Sequence, residues 1–178
     1  TIIKLFNRAA ENAAPKSIDI FVNAISNISF KDAEQLLFGA DNAATTYLRD
    51  NTATQLTDAF VPSISDSLNT IKVANVTPTV AWNTYATYNN KLVDILDSNT
   101  AKMALEMARK LGVIPDEIFE KMRAIDIVNP DLSKYITGEA LNGLFTKVSE
   151  KEYDIRHNAN ARVSDVLQSV FGRLDKRG

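Results

Sequence analysis

A chain of 178 residues, 45% of them hydrophobic, is long enough to bury one sizeable core and need not be divided. Its 20 basic and 22 acidic side chains leave a net charge of -2, which gives no general attraction to nucleic acid or to an anionic membrane surface. The absence of cysteine removes disulfides, thiolate nucleophiles and Cys-based zinc sites, and is compatible with either redox compartment.

Ile3, Phe6, Ala10 and Ala13 share one helical face, which Pro15 interrupts; Pro15 or Ser17 then opens a second helix carrying Ile18, Phe21, Val22 and Ile25. Ser29 and Asp32 form a capping box, with Asp in place of the usual Glu, and the helix they start is predicted to stop at Gly39. Asp41 stands as the next N-cap. Over residues 42–73, Leu56, Phe60, Ile64, Leu68 and Ile71 recur at steps of three or four, and Pro62 inside that run predicts a kink or a junction. Thr77-Pro78 is the clearest loop, and an amphipathic helix with Trp82, Tyr85, Leu92 and Leu96 follows it. Residues 100–124 read as a helical hairpin in which Gly112 ends one helix and Pro115 starts the next. Beyond a break at Asn129-Pro130, a long helix places Thr137, Leu141, Leu144, Phe145, Val148, Glu152 and Ile155 on one face, with a further break near Ala159. No alternating run of strand length and no apolar run of membrane-spanning length occurs. The predicted fold is therefore all-α, an irregular multi-helix bundle forming a single domain over residues 1–178.

Four groups of residues bear on chemistry. Asp154 and His157, at i and i+3, resemble half of a di-iron carboxylate motif, but His157 is the only histidine, so no metal site can be completed from one chain. It reads instead as a surface histidine at a helix C-terminus. Residues 100–124 imitate a helix-turn-helix, yet the would-be recognition helix opens with Asp116 and Glu117 and continues to Glu120, which places negative charge where phosphates must approach. Nucleic acid is not an expected partner, and Met103, Met107 and Phe119 read as packing residues. Trp82, Tyr85 and Tyr88 lie on one broad face, for core or interface packing. The fourth group is charged: Arg8, Glu11, Asp41, Thr45, Arg49, Glu150, Glu152, Arg156 and Arg162. Glu152 is trapped on an apolar stripe with Arg156 one turn away, so the two are expected to be buried in one network, with Arg8, Glu11 or Arg49 as partners. That network either fixes helix register or forms a cationic pocket.

The wording Y-I-T-G-E-A-L-N-G-L-F-T-K-V-S-E-K-E-Y-D-I-R-H-N-A-N-A-R over residues 135–162, closing on V-F-G at 170–172, resembles a bacterial family known only as domain of unknown function 4197. The resemblance includes N-R-A-A-E-N-A-A-P at 7–15, F-K-D-A-E-Q-L-L-F-G-A-D-N-A-A-T-T-Y-L-R at 30–49, and V-N-P-D-L at 128–132, whereas residues 98–126 look like an inserted hairpin. It implies a cell-envelope or periplasmic protein whose N-terminal segment, with an export or lipoprotein signal, precedes this chain; any membrane link would run through that anchor. Phosphate loops, zinc spacings and nucleophile elbows are absent, and no catalytic residue or cofactor is assigned. The expected function is a non-catalytic binding or protein-interaction module. One alternative is a carrier of a small anionic or amphipathic ligand near Arg49, Arg156 and Arg162, and another is an enzyme with Glu152 as base and an arginine clamp.

Overall fold

A computed structural model describes residues 2–72 and 75–177. It is all-α, with no strand among the described residues. α1 (Ile2–Ala13) and α2 (Ser17–Ser26) are separated by a single tight turn, Ala14–Lys16, with Pro15 near its start, where a missing N–H has no partner to lose. The capping box opens α3 (Phe30–Leu37): Ser29 Oγ accepts the Asp32 N–H at 3.1 Å and donates to Asp32 Oδ2 at 2.6 Å.

Gly39 marks the corner after α3. A Cβ built there would stand 2.9 Å from the Gln35 carbonyl oxygen and 3.0 Å from the Ala43 Cβ, so only glycine fits without a shift. α4 (Ala43–Thr70) then runs unbroken through Pro62, so the junction that proline predicts is not there. Pro62 and Asp58 are both exposed, so water can serve the Asp58 carbonyl that the ring leaves without a donor. The expected end of this helix at Val73 lies outside the described residues.

Thr77 Oγ1 accepts the Val80 N–H and starts α5 (Pro78–Asp97), and Ser98 Oγ accepts the Ala101 N–H and starts α6 (Asn99–Lys110). Gly112, at φ 69°, turns the chain towards α7 (Asp116–Arg123). α8 (Leu132–His157), a short turn at Ala159–Ala161 and α9 (Asp165–Phe171) complete the chain's α-helices.

Packing divides the chain into two compact units. The larger comprises Thr1–Ser67 and Ile136–Gly178, and the smaller is Leu68–Tyr135, which contains all of residues 98–126. In the larger unit Leu56, Phe60 and Ile64 of α4 are buried together with Ile136, Leu141 and Phe145 of α8. In the smaller unit the polar side of α5 holds the segment before α8: Asn89 donates to the Asp126 carbonyl, Asn90 exchanges two hydrogen bonds with Val128, and Trp82 Nε1 donates to the Asn129 carbonyl at 2.8 Å. Ala86, Val93 and Phe119 are buried there. Met103 and Met107 are not the packing residues expected from sequence, being 74% and 64% exposed on the outer side of α6.

Candidate functional site

The helix N-terminus at Ala43 leaves first-turn N–H groups in need of acceptors, and the C-terminus of α3 leaves carbonyls in need of donors. Both needs are met from one turn of α8. Glu152 accepts the Ala44 N–H at Oε1 (2.9 Å), and the Thr45 N–H and hydroxyl at Oε2 (both 2.7 Å). Arg156, one turn on, gives Nε and Nη2 to Glu152 Oε1 (2.9 and 2.6 Å) and donates to the carbonyls of Leu37 (2.8 Å) and Leu36 (2.9 Å). The pair is thus a double cap, its carboxylate closing α4 and its guanidinium closing α3 across the Gly39 corner. Both side chains are buried, at 6% and 4% exposure. Burial alone would raise the pKa of Glu152. Hydrogen bonds from the Thr45 hydroxyl, the Ala44 N–H, Arg156 and the Thr45 N–H outweigh it and hold the carboxyl below its ordinary 4.5.

The expected burial of this pair is therefore present, but its partners differ from those read in the sequence. Arg8 and Glu11 are exposed on α1 and take no part in the network. Arg49 is also exposed, its guanidinium 5.0 Å from the centre of the Phe145 ring. Asp41 does not cap α4: its carboxylate meets His157 Nε2 at 2.7 Å, and His157 in turn packs on Tyr153. Glu150 pairs with Lys147 on the surface. Arg162 closes α8, donating to the carbonyls of Ile155 and Arg156, and forms a bidentate pair with Asp175. The hydrogen bond from Arg162 holds the Asp175 carboxyl below its ordinary 3.8. The sequence could not show that backbone atoms would be the main partners, because every residue carries them.

Beside the clamp lies an open cleft of about 720 Å³ between the first turns of α4 and the second half of α8. Arg49, Thr46, Phe145, Ser149, Glu150 and Tyr153 are among its lining side chains. It offers hydroxyls, one cation and carboxylates rather than a cationic pocket, since Arg156 and Arg162 are committed to carbonyls, Glu152 and Asp175. Glu152 does not line it, and its oxygens already accept five hydrogen bonds, so the alternative that uses this group as a base has no free carboxylate to use. Tyr153 and Phe145 are cleft residues that sequence reading left out; their i, i+8 spacing on α8 was the available signal.

A second feature lies on α5. At about 100° per residue, Trp82, Ala86, Asn89, Val93 and Leu96 form the inward side of this helix, and Tyr85, Tyr88, Leu92 and Ile95 form an adjacent second stripe. Those four are 52%, 68%, 42% and 63% exposed. The aromatic face expected from sequence therefore splits: Trp82 stacks on Tyr135 with ring centres 5.4 Å apart, while Tyr85 and Tyr88 turn outward. The stripe has heptad spacing, i, i+3, i+7, i+10, the pattern of a helix–helix seam.

No curated protein and no solved structure matches the chain. The blocks that build the α3–α4 corner and its clamp fall within one family match extending over residues 1–172, nearly the whole sequence. The chain belongs to the family described as protein of unknown function (DUF4197).

Proposed function

We propose that this protein is a non-catalytic interaction module that pairs with a second copy of itself through the outer stripe of α5. The carrying observation is that stripe: Tyr85, Tyr88, Leu92 and Ile95, spaced as a seam and exposed to solvent. Its composition favours self-pairing, because an antiparallel partner sets the tyrosines of one helix against the leucine and isoleucine of the other, ring against aliphatic side chain. The exposed area of the four side chains is on the order of 400 Å² per copy, and with the flanking stems two copies bury about 1,000 Å², the lower limit for a specific interface. The smaller unit supports the same reading, since its exposed large apolar side chains outnumber its buried ones.

Sedimentation equilibrium of the native chain and of Tyr88→Glu and Leu92→Glu tests this. The expected result is a concentration-dependent dimer that either substitution converts to monomer, with helicity unchanged because neither side chain belongs to the buried core, and with melting that no longer rises with protein concentration. A parent that stays monomeric at about 100 μM, where even a weak specific pair would populate, overturns the proposal. The proposal places the module at the bacterial cell envelope, supported by family resemblance alone; among the described residues no helix is long and apolar enough to cross a membrane. Fractionation of cells making the native protein tests the location.

The carrier reading keeps one anchor of its three, Arg49 over Phe145 in the 720 Å³ cleft.

A further inference from the structure

The smaller unit contains a slot of about 380 Å³ between α5, α6 and α7. Its walls are Val93, Leu96, Leu105, Phe119, Met122 and Ile125, and charged side chains stand only at its rim: Asp97, Lys102, Glu106 and Arg123. Three of the four are already matched. Lys102 pairs with Asp97 at 2.8 Å, and Glu106 with Arg109 at 3.3 Å. Arg123 differs: among the described residues no carboxylate lies within ion-pair distance of it, and its guanidinium rests 5.6 Å from the centre of the Phe119 ring.

An apolar slot with one uncompensated cation at its mouth is complementary to a molecule with an apolar tail and an anionic head. The volume falls at the small end of the range for small-molecule pockets, which suits one medium-length chain, on the order of ten carbons, rather than a two-chain lipid. From this geometry we infer that the slot binds a single-chain aliphatic carboxylate, the chain lying among Leu105, Phe119 and Met122 and the carboxylate meeting Arg123. The site is separate from the outer stripe of α5 and does not depend on self-pairing.

Calorimetric titration of the full chain with hexanoate, octanoate, decanoate and decanol tests the inference. Saturable binding at one site per chain is expected, tightening roughly fourfold per added methylene until the slot is filled. Decanol is expected to bind more weakly than decanoate. Arg123→Gln should weaken decanoate by about tenfold or more while leaving decanol unchanged, the loss of one charge-assisted contact. Leu105→Trp, which fills the slot, should abolish binding of both while preserving cooperative melting; should that variant misfold, Met122→Phe gives the same steric test from α7. Non-saturable uptake, equal affinity for decanoate and decanol, or decanoate binding indifferent to both Arg123→Gln and the filled slot would each overturn the assignment.

Discussion

Arg156 illustrates how much a side chain's worth depends on where its N–H groups go. It serves two carbonyls and a carboxylate with 4% of its side chain exposed, so removing it leaves Glu152 charged in a buried site and takes the side-chain donor from the Leu37 carbonyl at the end of α3. Arg156→Ala is expected to lower the unfolding free energy by about 3–5 kcal/mol in a urea melt. Arg49→Ala, which removes an exposed cation from the Phe145 ring, should lower it by less than about 1 kcal/mol. Glu152 adds a pH signature. Its folded pKa lies below its ordinary 4.5, so the unfolded chain takes up a proton first; the stabilisation is fully present above that value and is lost as pH falls through the folded pKa. Urea midpoints followed from neutral pH down through this range should therefore fall more steeply for the parent than for Glu152→Gln, which is less stable at neutral pH but has no carboxylate there to protonate. Parallel acid limbs would show that this carboxylate is not a source of the acid sensitivity.

At the scale of the helix, local signals and remote ones behave differently. The boundaries at Ser29, Gly39, Thr77-Pro78 and Gly112 were legible because cap and breaker lie within a few residues of the end they set. The start of α4 was not. Asp41 is the nearest acidic residue, but the carboxylate that serves that terminus belongs to Glu152, 108 residues after Ala44. Burial of Glu152 and Arg156 was readable from the apolar stripe around them, whereas their partners were not, since carbonyls and amides leave no mark in a sequence. Likewise periodicity showed that α5 is amphipathic but not that Tyr85 and Tyr88 would face outward. The two glycines Gly39 and Gly138 allow a test of opposite sign. Gly39→Ala forces a Cβ to 2.9 Å from a backbone oxygen at the clamped corner and should destabilise by about 1–3 kcal/mol. Gly138→Ala, in the interior of α8 with nothing within 4 Å of its Cβ, should stabilise by about 0.5–1 kcal/mol. Chemical denaturation of both variants reads the difference.

For the whole molecule, the two units provide their own reporters. The single tryptophan, Trp82, lies in the smaller unit, so its fluorescence follows that unit, while far-ultraviolet circular dichroism follows both. Deleting residues 100–124 removes Phe119 and uncovers Val93, so the Trp82 transition should weaken or vanish. The circular dichroism transition of the larger unit, with Leu56, Phe60 and Phe145 untouched, should remain cooperative; loss of both would show that the larger unit does not stand without the hairpin. The division also has a consequence for the order in which the protein can be made. The smaller unit is one continuous stretch, Leu68–Tyr135, while the larger is split around it, and the residues that close the α3–α4 corner come from its second half. On a ribosome adding about 5–20 residues per second, the start of α4 waits roughly 5–20 s for the carboxylate that satisfies it. Before that interval ends, the nested unit has all its residues, while its host still lacks its second half. Synthesis therefore favours the later segment folding first, and the corner that comes early in the chain is among the last parts of the molecule to be locked.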